Sequence, residues 1–438
     1  MALFQAMINL SSHLSNIIHS YPSGKIFWIA YSGGMDSHVL LHAMAQLRDS
    51  FKFKLRVVHI NHNLNSQADK WAKHCQHICA ELAVTCEIIQ IQINHKPRES
   101  LEACARTARY NAIAKLLETD DVVLTAQHAD DQTETVLLQL LRGAGVAGLA
   151  AMPEKSQLGV GWLVRPLLNY SHDQLLKYAK YLQWIEDDSN TNTKFDRNFL
   201  RHEIIPKLKQ RWVNINKTIG RVANNLAEAD KLIKILAEQD LQLCIGKEPN
   251  QLLISSLTDL EPIRQRNLLR FWFKQLNLTI PSAAQLQHVI DDILTAKPER
   301  QPLVSWQGGE VRRYKQHLFA MPNLPPVPTD TITWLFPNPI NLPFGQLTAQ
   351  KVQSGGLNLP LETTLQIRFR KNGEFLQLHK HKHSVKKLLQ TAQIPAWQRP
   401  FIPLIYLDDM LIAIPNIGVS DQFIASANGW KVSLSLIF

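Results

Sequence analysis

The chain has 438 residues, 45% of them apolar, and 47 Lys and Arg against 37 Asp and Glu give a formal net charge of +10. That length is too great for one ordinary domain and predicts two or three, and the apolar content excludes wholesale disorder. The basic excess favours a polyanionic partner, either nucleic acid or an acidic membrane surface.

Residues 1–20 mix apolar residues with Ser, Asn, Gln and His. They lack the basic start and unbroken apolar stretch of a signal peptide. Leu3, Met7, Leu10 and Leu14 stand near helical spacing, so a first helix is expected there. No apolar run is long enough for a transmembrane helix. The five cysteines, Cys75, Cys79, Cys86, Cys104 and Cys244, are sparse and odd in number. They are expected to be reduced thiols in a cytoplasmic protein.

Strand-like and helix-like stretches then alternate. Residues 26–31 read as a buried strand and 37–47 as a helix. A second strand over 55–61 precedes a helix over 67–82, and a third over 85–93 precedes a helix over 100–117 that carries Arg106 and Arg109. A fourth strand over 121–126 precedes a helix over 131–141. This alternation predicts a parallel sheet covered on both faces, with its ligand site at the carboxyl ends of the strands.

A helix over 171–184 opens with the capping box Ser171 and Gln174. A polar stretch, 186–198, follows. Residues 197–297 are mostly helical, with long pieces over 219–241, 260–276 and 283–294. Pro322, Pro325, Pro326 and Pro328, then Pro337, Pro339 and Pro343, mark 322–344 as a linker. Residues 346–438 mix short strands with one basic helix near 384–391. The fold class is α/β. A parallel-sheet nucleotide-binding domain (1–212) is followed by a mostly helical middle domain (213–321) and a small α+β C-terminal domain (345–438).

Ser32-Gly33-Gly34-Met35-Asp36-Ser37 sits between the first strand and its helix. Two glycines permit a tight strand-to-helix loop, and the N–H groups at a helix start favour an anion. Ser32 and Ser37 add hydroxyl donors. Asp36 would repel a phosphate, which makes sense if it holds Mg²⁺ bridging to the phosphates. A Walker loop is absent, since Gly24-Lys25 is followed by Ile26, and a G-x-G-x-x-G fingerprint is absent too. The alternative is a plain Ser/Gly turn.

The hexapeptide resembles the PP-loop of the ATP pyrophosphatase superfamily. That resemblance implies cleavage of ATP between the α and β phosphates, transfer of AMP to a substrate oxygen, and displacement of AMP by an amine or sulfur nucleophile.

Gln127-His128-Ala129-Asp130-Asp131-Gln132-Thr133-Glu134-Thr135 follows the fourth strand and opens the next helix. Asp130, Asp131 and Glu134 fall within about one turn. They could bind a metal or a cationic substrate such as an ammonium group, or Asp131 could simply cap the helix. Together with Leu141-Arg142-Gly143-Ala144-Gly145-Val146-Ala147-Gly148-Leu149, this stretch resembles the signature of tRNA(Ile)-lysidine synthases. Asn61-His62-Asn63-Leu64, Arg165-Pro166-Leu167-Leu168 and Glu186-Asp187-Asp188-Ser189-Asn190 also match, as do Arg197-Asn198, Arg201 and Pro206. Residues 368–374 and 394–399 resemble the family's last domain. One departure is Gln127, where the family has His. Glutamine cannot act as an acid or base near neutral pH, whereas His128 keeps that option.

The resemblance implies a ligase that adenylylates the wobble cytidine of a CAU-anticodon isoleucine tRNA at O2. The ε-amine of free L-lysine then attacks carbon 2 and AMP leaves. It implies that Ser32, Gly33, Gly34, Met35, Asp36 and Ser37 hold ATP, with Asp36 on Mg²⁺. Asp130 and Asp131 would hold lysine or metal, and His128 is a further catalytic candidate. Arg197 and Arg201 would stabilise charge or contact tRNA.

Residues 366–399 hold eight Lys and Arg and one acid, Glu374. In this context Arg368, Arg370, Lys371, Lys380, Lys382, Lys386, Lys387 and Arg399 are candidate phosphate contacts, although a basic run can also be a solvated face. The alternating His379–His383 run lacks a carboxylate or cysteine set for a metal. Cys75 and Cys79, four apart on one helix face, read as buried small hydrophobes.

An amidotransferase-type synthetase would need a nucleophilic cysteine in a glutamine-hydrolysing domain, and none is in such a context. A non-catalytic RNA-binding scaffold conflicts with the intact Asp36, Asp130 and Asp131. No membrane association or protein partner is indicated, and a homodimer is left open.

Overall fold

The structure, a computed structural model, describes residues 2–22, 24–62, 67–92, 101–186, 191–297 and 300–436. Asn63, Leu64, Ile93, Ser100, Asp187, Asp188, Ser189, Asn190 and Phe438 lie outside the described residues, as do the side chains of Leu3 and Met7. The chain divides into two compact units, Met1–Ile233 and Lys234–Phe438.

In the first unit the order is α1 (Ala2–His19), β1 (Ile26–Ala30), α2 (Met35–Phe51), β2 (Lys54–Asn61), α3 (Ala68–Glu81), β3 (Thr85–Gln90), α4 (Leu101–Ala114), β4 (Val122–Leu124) and α5 (Ala129–Leu141). Then come α6 (Val146–Leu149), β5 (Lys155–Leu158), β6 (Gly161–Val164), α7 (His172–Tyr178), α8 (Asp196–Phe199) and α9 (Ile205–Arg211). The helix α10 (Ile215–Cys244) runs on into the second unit.

The sheet order is β3-β2-β1-β4-β6-β5. All neighbours are parallel except the edge hairpin β5–β6. Side chains alternate across the sheet, as the period of two requires. Phe27, Ile29, Val57, Leu124 and Val164 pack on one face with Leu10 and Leu14 of α1, Val39 and Leu40 of α2 and Ile78 of α3. Trp28, Val58, Val123 and Leu163 pack on the other with Ile113 of α4 and with Leu117. Burial on both faces explains why the strands read as unbroken apolar runs.

The chain steps outward from β1 to β2 and β3, then returns through α4 to β4 on the far side of β1. The strand order therefore reverses between β1 and β4. The carboxyl ends of these two strands are where an open α/β sheet is expected to form its ligand crevice. The loops 32–37 and 125–128 flank that crevice.

Two expected elements differ most in extent. Helix α7 stops at Tyr178, and a 3-10 turn, Ala179–Tyr181, follows. The chain then leaves the helix so that the Ile185 N–H donates to the Gly33 carbonyl at 3.0 Å. Helix α10 is longer than the 219–241 stretch expected from periodicity.

In the second unit, β7 (Gln251–Leu253), α11 (Ile254–Thr258), α12 (Pro262–Gln275), α13 (Ala283–His288), β8 (Leu303–Trp306), β9 (Gly309–Tyr314) and β10 (His317–Met321) come first. The helices anticipated here are present. A four-stranded antiparallel sheet, β7-β10-β9-β8, joins them around Leu268, Leu269, Trp272 and Phe273. Asp240 of α10 is fully buried and carries the Arg264 guanidinium of α12.

The rest comprises β11 (Ile332–Leu335), β12 (Ile340–Leu342), β13 (Gly345–Val352), β14 (Thr364–Arg368), β15 (Phe375–Leu378), β16 (His381–Ser384) and α14 (Val385–Thr391), then β17 (Leu404–Leu407), β18 (Met410–Ile414), β19 (Gly418–Val419) and β20 (Gly429–Leu436). The sheets β11-β14-β17-β18-β19 and β12-β13-β20 enclose one core. The stretch expected to be a linker needs correction in its second half. Trp334, Phe336, Leu342 and Phe344 are buried in this core, because the prolines between them punctuate short strands rather than a free tether. No helix among the described residues is long and apolar enough to cross a membrane.

Candidate active site

The loop 32–37 is braced from within. The Ser32 N–H donates to Ser37 Oγ at 3.2 Å, the Ser37 hydroxyl donates to the Gly34 carbonyl at 2.9 Å, and the Gly34 N–H donates to Ser32 Oγ at 3.3 Å. Gly33 has φ +88°, and a Cβ there would sit 3.2 Å from Cys75 Sγ and 3.4 Å from Ile185 Cδ1. Glycine is thus needed twice, for its backbone angle and for space. Gly34 caps α2 without any side-chain hydrogen bond. The first-turn N–H groups are left to an anion, with the helix dipole behind them.

Asp36 lies in that first turn. Its Oδ1 is buried without a hydrogen-bond partner, and its Oδ2 lies 3.6 Å from His128 Nε2. His128 caps α5. Its Nδ1 accepts the Asp130 N–H at 3.2 Å, and its own N–H donates to Asp131 Oδ2 at 3.1 Å. Asp131 therefore completes a capping box rather than serving as the cap itself. The imidazole is almost wholly buried, with Nε2 also 3.5 Å from Asp131 Oδ2 and Nδ1 3.7 Å from Asp130 Oδ2. Burial opposes a charge on this ring, but Asp131, Asp36 and Asp130 together override it and raise the pKa to about 9. Nδ1 accepts the cap bond in the neutral ring and faces Asp130 Oδ2 in the charged one.

Deeper in α5, Glu134 is 1% exposed and carries two guanidinium groups. Arg197 Nε donates to its Oε2 at 3.0 Å, and Arg201 Nε donates to its Oε1 at 2.6 Å. Arg201 Nη2 reaches Asp131 Oδ1 at 2.9 Å, and Arg197 Nη2 donates to Thr135 Oγ1 at 3.0 Å. Burial disfavours the Arg201 charge, but Glu134, Asp131 and Asp36 hold it as a cation. Asp130 accepts the His172 N–H at 2.9 Å and the Lys209 ammonium. Burial pushes its pKa up, yet these donors win and bring it down to about 2.

Asp36, Asp130, Asp131 and Glu134 are thus balanced by His128 in its charged form, Arg197, Arg201 and Lys209. All six catalytic candidates, Asp36, His128, Asp130, Asp131, Arg197 and Arg201, fall in this one cluster. Lys209, Asn216 and His172 join it without any signal in the sequence. The Gln127 Oε1 beside the cluster is buried without a partner. No group of three or more His, Cys, Asp or Glu side chains among the described residues could hold a metal by itself. Cys75 and Cys79 are buried in the core.

The basic C-terminal candidates divide in two. Lys371, Lys380, Lys382, Lys386 and Lys387 are exposed. Arg368 lies over the Tyr406 ring and pairs with Asp409 at 3.0 Å, Arg370 donates to Asn372 Oδ1 at 2.8 Å, and Arg399 donates to the Ile394 carbonyl at 2.8 Å. The turn between β15 and β16 is latched by Asp421, which accepts the N–H groups of His379 and Lys380. Those two bonds, Lys380's first, hold the Asp421 carboxyl below its usual range.

Three protein-family models match successive segments. A PP-loop domain covers residues 7–208, a TilS substrate binding domain covers 252–319, and a TilS substrate C-terminal domain covers 365–436. The chain is 43% identical over 431 residues to a tRNA(Ile)-lysidine synthase of Coxiella burnetii, covering 96% of each. It is 39% identical over 415 residues to one of Legionella pneumophila, covering 92% of this chain and 94% of that one. It is also 40% identical over 409 residues to one of Alkalilimnicola ehrlichii, covering 91% of each.

Proposed function

This chain belongs to the tRNA(Ile)-lysidine synthase family, and from that premise we propose how its own residues divide the work of the reaction. It is a ligase that consumes ATP. In the first step O2 of the wobble cytidine of an isoleucine tRNA with a CAU anticodon attacks the α-phosphorus of ATP, and pyrophosphate leaves. In the second the ε-amine of free lysine attacks carbon 2 of the activated base. The C2–O2 bond breaks, AMP carries O2 away, and the amine gives up a proton.

The observation that carries this reading is the meeting of the PP-loop with α5 at His128, whose Nε2 lies 3.6 Å from Asp36 and 3.5 Å from Asp131. Ser32, Gly33, Gly34, Met35, Asp36 and Ser37 hold the triphosphate against the uncapped start of α2. His128, Arg197 and Arg201 are cations held in place by Asp131 and Glu134. They are assigned to stabilise the negative charge that develops on pyrophosphate and then on AMP. Asp36, whose Oδ1 has no protein partner, is assigned to the lysine ammonium.

Asp36 also fits Mg²⁺. Its Oδ1 is unpartnered, and Mg²⁺ at nucleotide sites uses one or two carboxylates together with the phosphates. Bound there, the ion would neutralise phosphate charge. Residues 1–212 would form the catalytic domain, 213–321 the middle domain and 345–438 a tRNA-binding domain. A cytoplasmic location suits a tRNA substrate and five free cysteines.

The test is incubation with ATP, Mg²⁺, labelled lysine and unmodified CAU isoleucine tRNA. Label in the tRNA with lysine-dependent AMP release is expected. No incorporation, alongside incorporation by a related synthase as control, would sink the reading.

A further inference from the structure

We propose that Lys209 and Asn216 are positioning residues of the active site that act through Asp130, which is a strut and not a ligand for lysine or metal. This rests on the reading of α5 as the substrate-activating helix.

Asp130 is nine-tenths buried. Its Oδ2 accepts the His172 N–H at the start of α7, and its Oδ1 accepts the Lys209 ammonium from α9. The Asn216 side chain, in the first turn of α10, also helps to hold this carboxyl below its usual range. The Asn216 Oδ1 in turn accepts the Thr133 hydroxyl at 2.9 Å. Three elements from outside α5 thus converge on one side chain. Both carboxylate oxygens already accept a hydrogen bond from the protein, so a substrate ammonium would have to share them. Asp36, by contrast, has an unpartnered oxygen.

The position of Asp130 matters because of what its backbone does. Its N–H donates to His128 Nδ1 at 3.2 Å, while His128 Nε2 faces Asp36 and Asp131. In the charged ring Nδ1 instead faces the Asp130 carboxylate at 3.7 Å, so in either state Asp130, itself pinned from behind, aims the imidazole at the PP-loop. A buried carboxylate stripped of its counter-charge either takes a proton or turns to another donor. The nearest such donor is His128 itself, 3.7 Å from Asp130 Oδ2. Loss of Lys209 would then pull the ring off its aim without touching any group that meets substrate.

The experiment measures steady-state tRNA lysidine formation and pyrophosphate release for the wild type, Lys209→Met, Lys209→Arg, Asn216→Ala, Asp130→Asn and the Lys209→Met/Asp130→Asn double variant. Lys209→Met is expected to lower kcat by about 10- to 100-fold, less than the ~100- to 1,000-fold loss when a charge-stabilising donor is removed outright. KM for ATP and for lysine should stay within about twofold. Lys209→Arg should recover most of the rate, and in the Asp130→Asn background Lys209→Met should add less than about twofold, since the two act as one unit. Asn216→Ala keeps the Lys209–Asp130 ion pair and serves as the second variant should Lys209→Met fail to fold. It should show a smaller kcat loss with the same unchanged KM values.

Wild-type kcat in both Lys209→Met and Asn216→Ala, effects of Lys209 and Asp130 that multiply, or a rise in KM for lysine in place of the kcat loss would each overturn the proposal. Absence of lysine incorporation by the wild-type enzyme would instead strike the functional reading on which it rests.

Discussion

His128 Nε2 lies 3.6 Å from Asp36 Oδ2, so the loop after β4 touches the PP-loop after β1 through one imidazole. The two signatures lie far apart in the chain and meet because β1 and β4 are neighbours in the sheet. Loss of the carboxylate in Asp36→Ala is therefore expected to abolish pyrophosphate release while tRNA affinity stays within about twofold, because phosphate contacts on basic surfaces dominate such binding. Pyrophosphate assays with filter binding on the same samples check both halves. Full activity in this variant would remove Asp36 from ATP chemistry.

The raised pKa of His128 predicts a pH-dependent stability. The folded state binds this proton more tightly than the unfolded chain does, with a pKa of about 9 against 6.5 for a free imidazole. The stabilisation is fully present below about pH 6.5 and is lost as pH rises through about 9. Asn at this position keeps a cap but carries no charge. The melting-temperature gap between wild type and His128→Asn should therefore narrow steadily between pH 6.5 and 9.5. A gap that stays constant would mean that the ring is neutral throughout.

Gly33→Ala probes the loop's backbone. A left-handed φ costs a non-glycine residue about 1–2 kcal/mol. Here the new methyl would also sit 3.2 Å from the fully buried Cys75 Sγ, which must give way slightly. Calorimetry should show a destabilised protein, and ATP titration a loss of affinity larger than the stability loss alone explains.

Glu134 holds two arginines from a site that is 1% exposed. Glu134→Gln keeps the shape and removes the charge. Breaking a fully buried pair costs about 3–5 kcal/mol, and the partial exposure of Arg197 and Arg201 lowers the expectation to about 2–3 kcal/mol. Urea denaturation would read this. A loss under about 0.5 kcal/mol would class the pair with ordinary surface ion pairs.

Much of this architecture is legible in the sequence, for physical reasons. The buried strands are short apolar runs, and the helices between them keep a 3.6-residue period. The PP-loop announces itself through Gly33, whose conformation few other residues can adopt. The roles of Lys209, Asn216 and His172 are not legible. They reach Asp130 across long stretches of chain, 79 residues for Lys209 and 42 for His172, and no local pattern marks a lysine that ends on a distant carboxylate. Strands β7 to β10 escape notice because they are three to six residues long and the first is set among strongly periodic helices. The prolines near 337–343 resemble a linker until Trp334 and Phe336 are seen in the core.

The exposed lysines around the hairpin β15–β16 and helix α14 give the last prediction. Lys380, Lys382, Lys386 and Lys387 have no ion pair among those described, whereas Arg368 is tied to Asp409. Their charges are available to a phosphate backbone without first breaking a protein contact. Each lysine that neutralises a phosphate should contribute about 0.7–0.9 to the slope of log affinity against log salt. Changing all four to alanine should reduce that slope by about three to three and a half and weaken tRNA binding at low salt. ATP affinity should be unchanged, because these lysines lie on the C-terminal β15–β16 hairpin and helix α14 and not on the PP-loop. An unchanged salt slope would place the polyanion contact elsewhere on this basic chain. A weakened ATP affinity would show that the four substitutions had disturbed more than the surface.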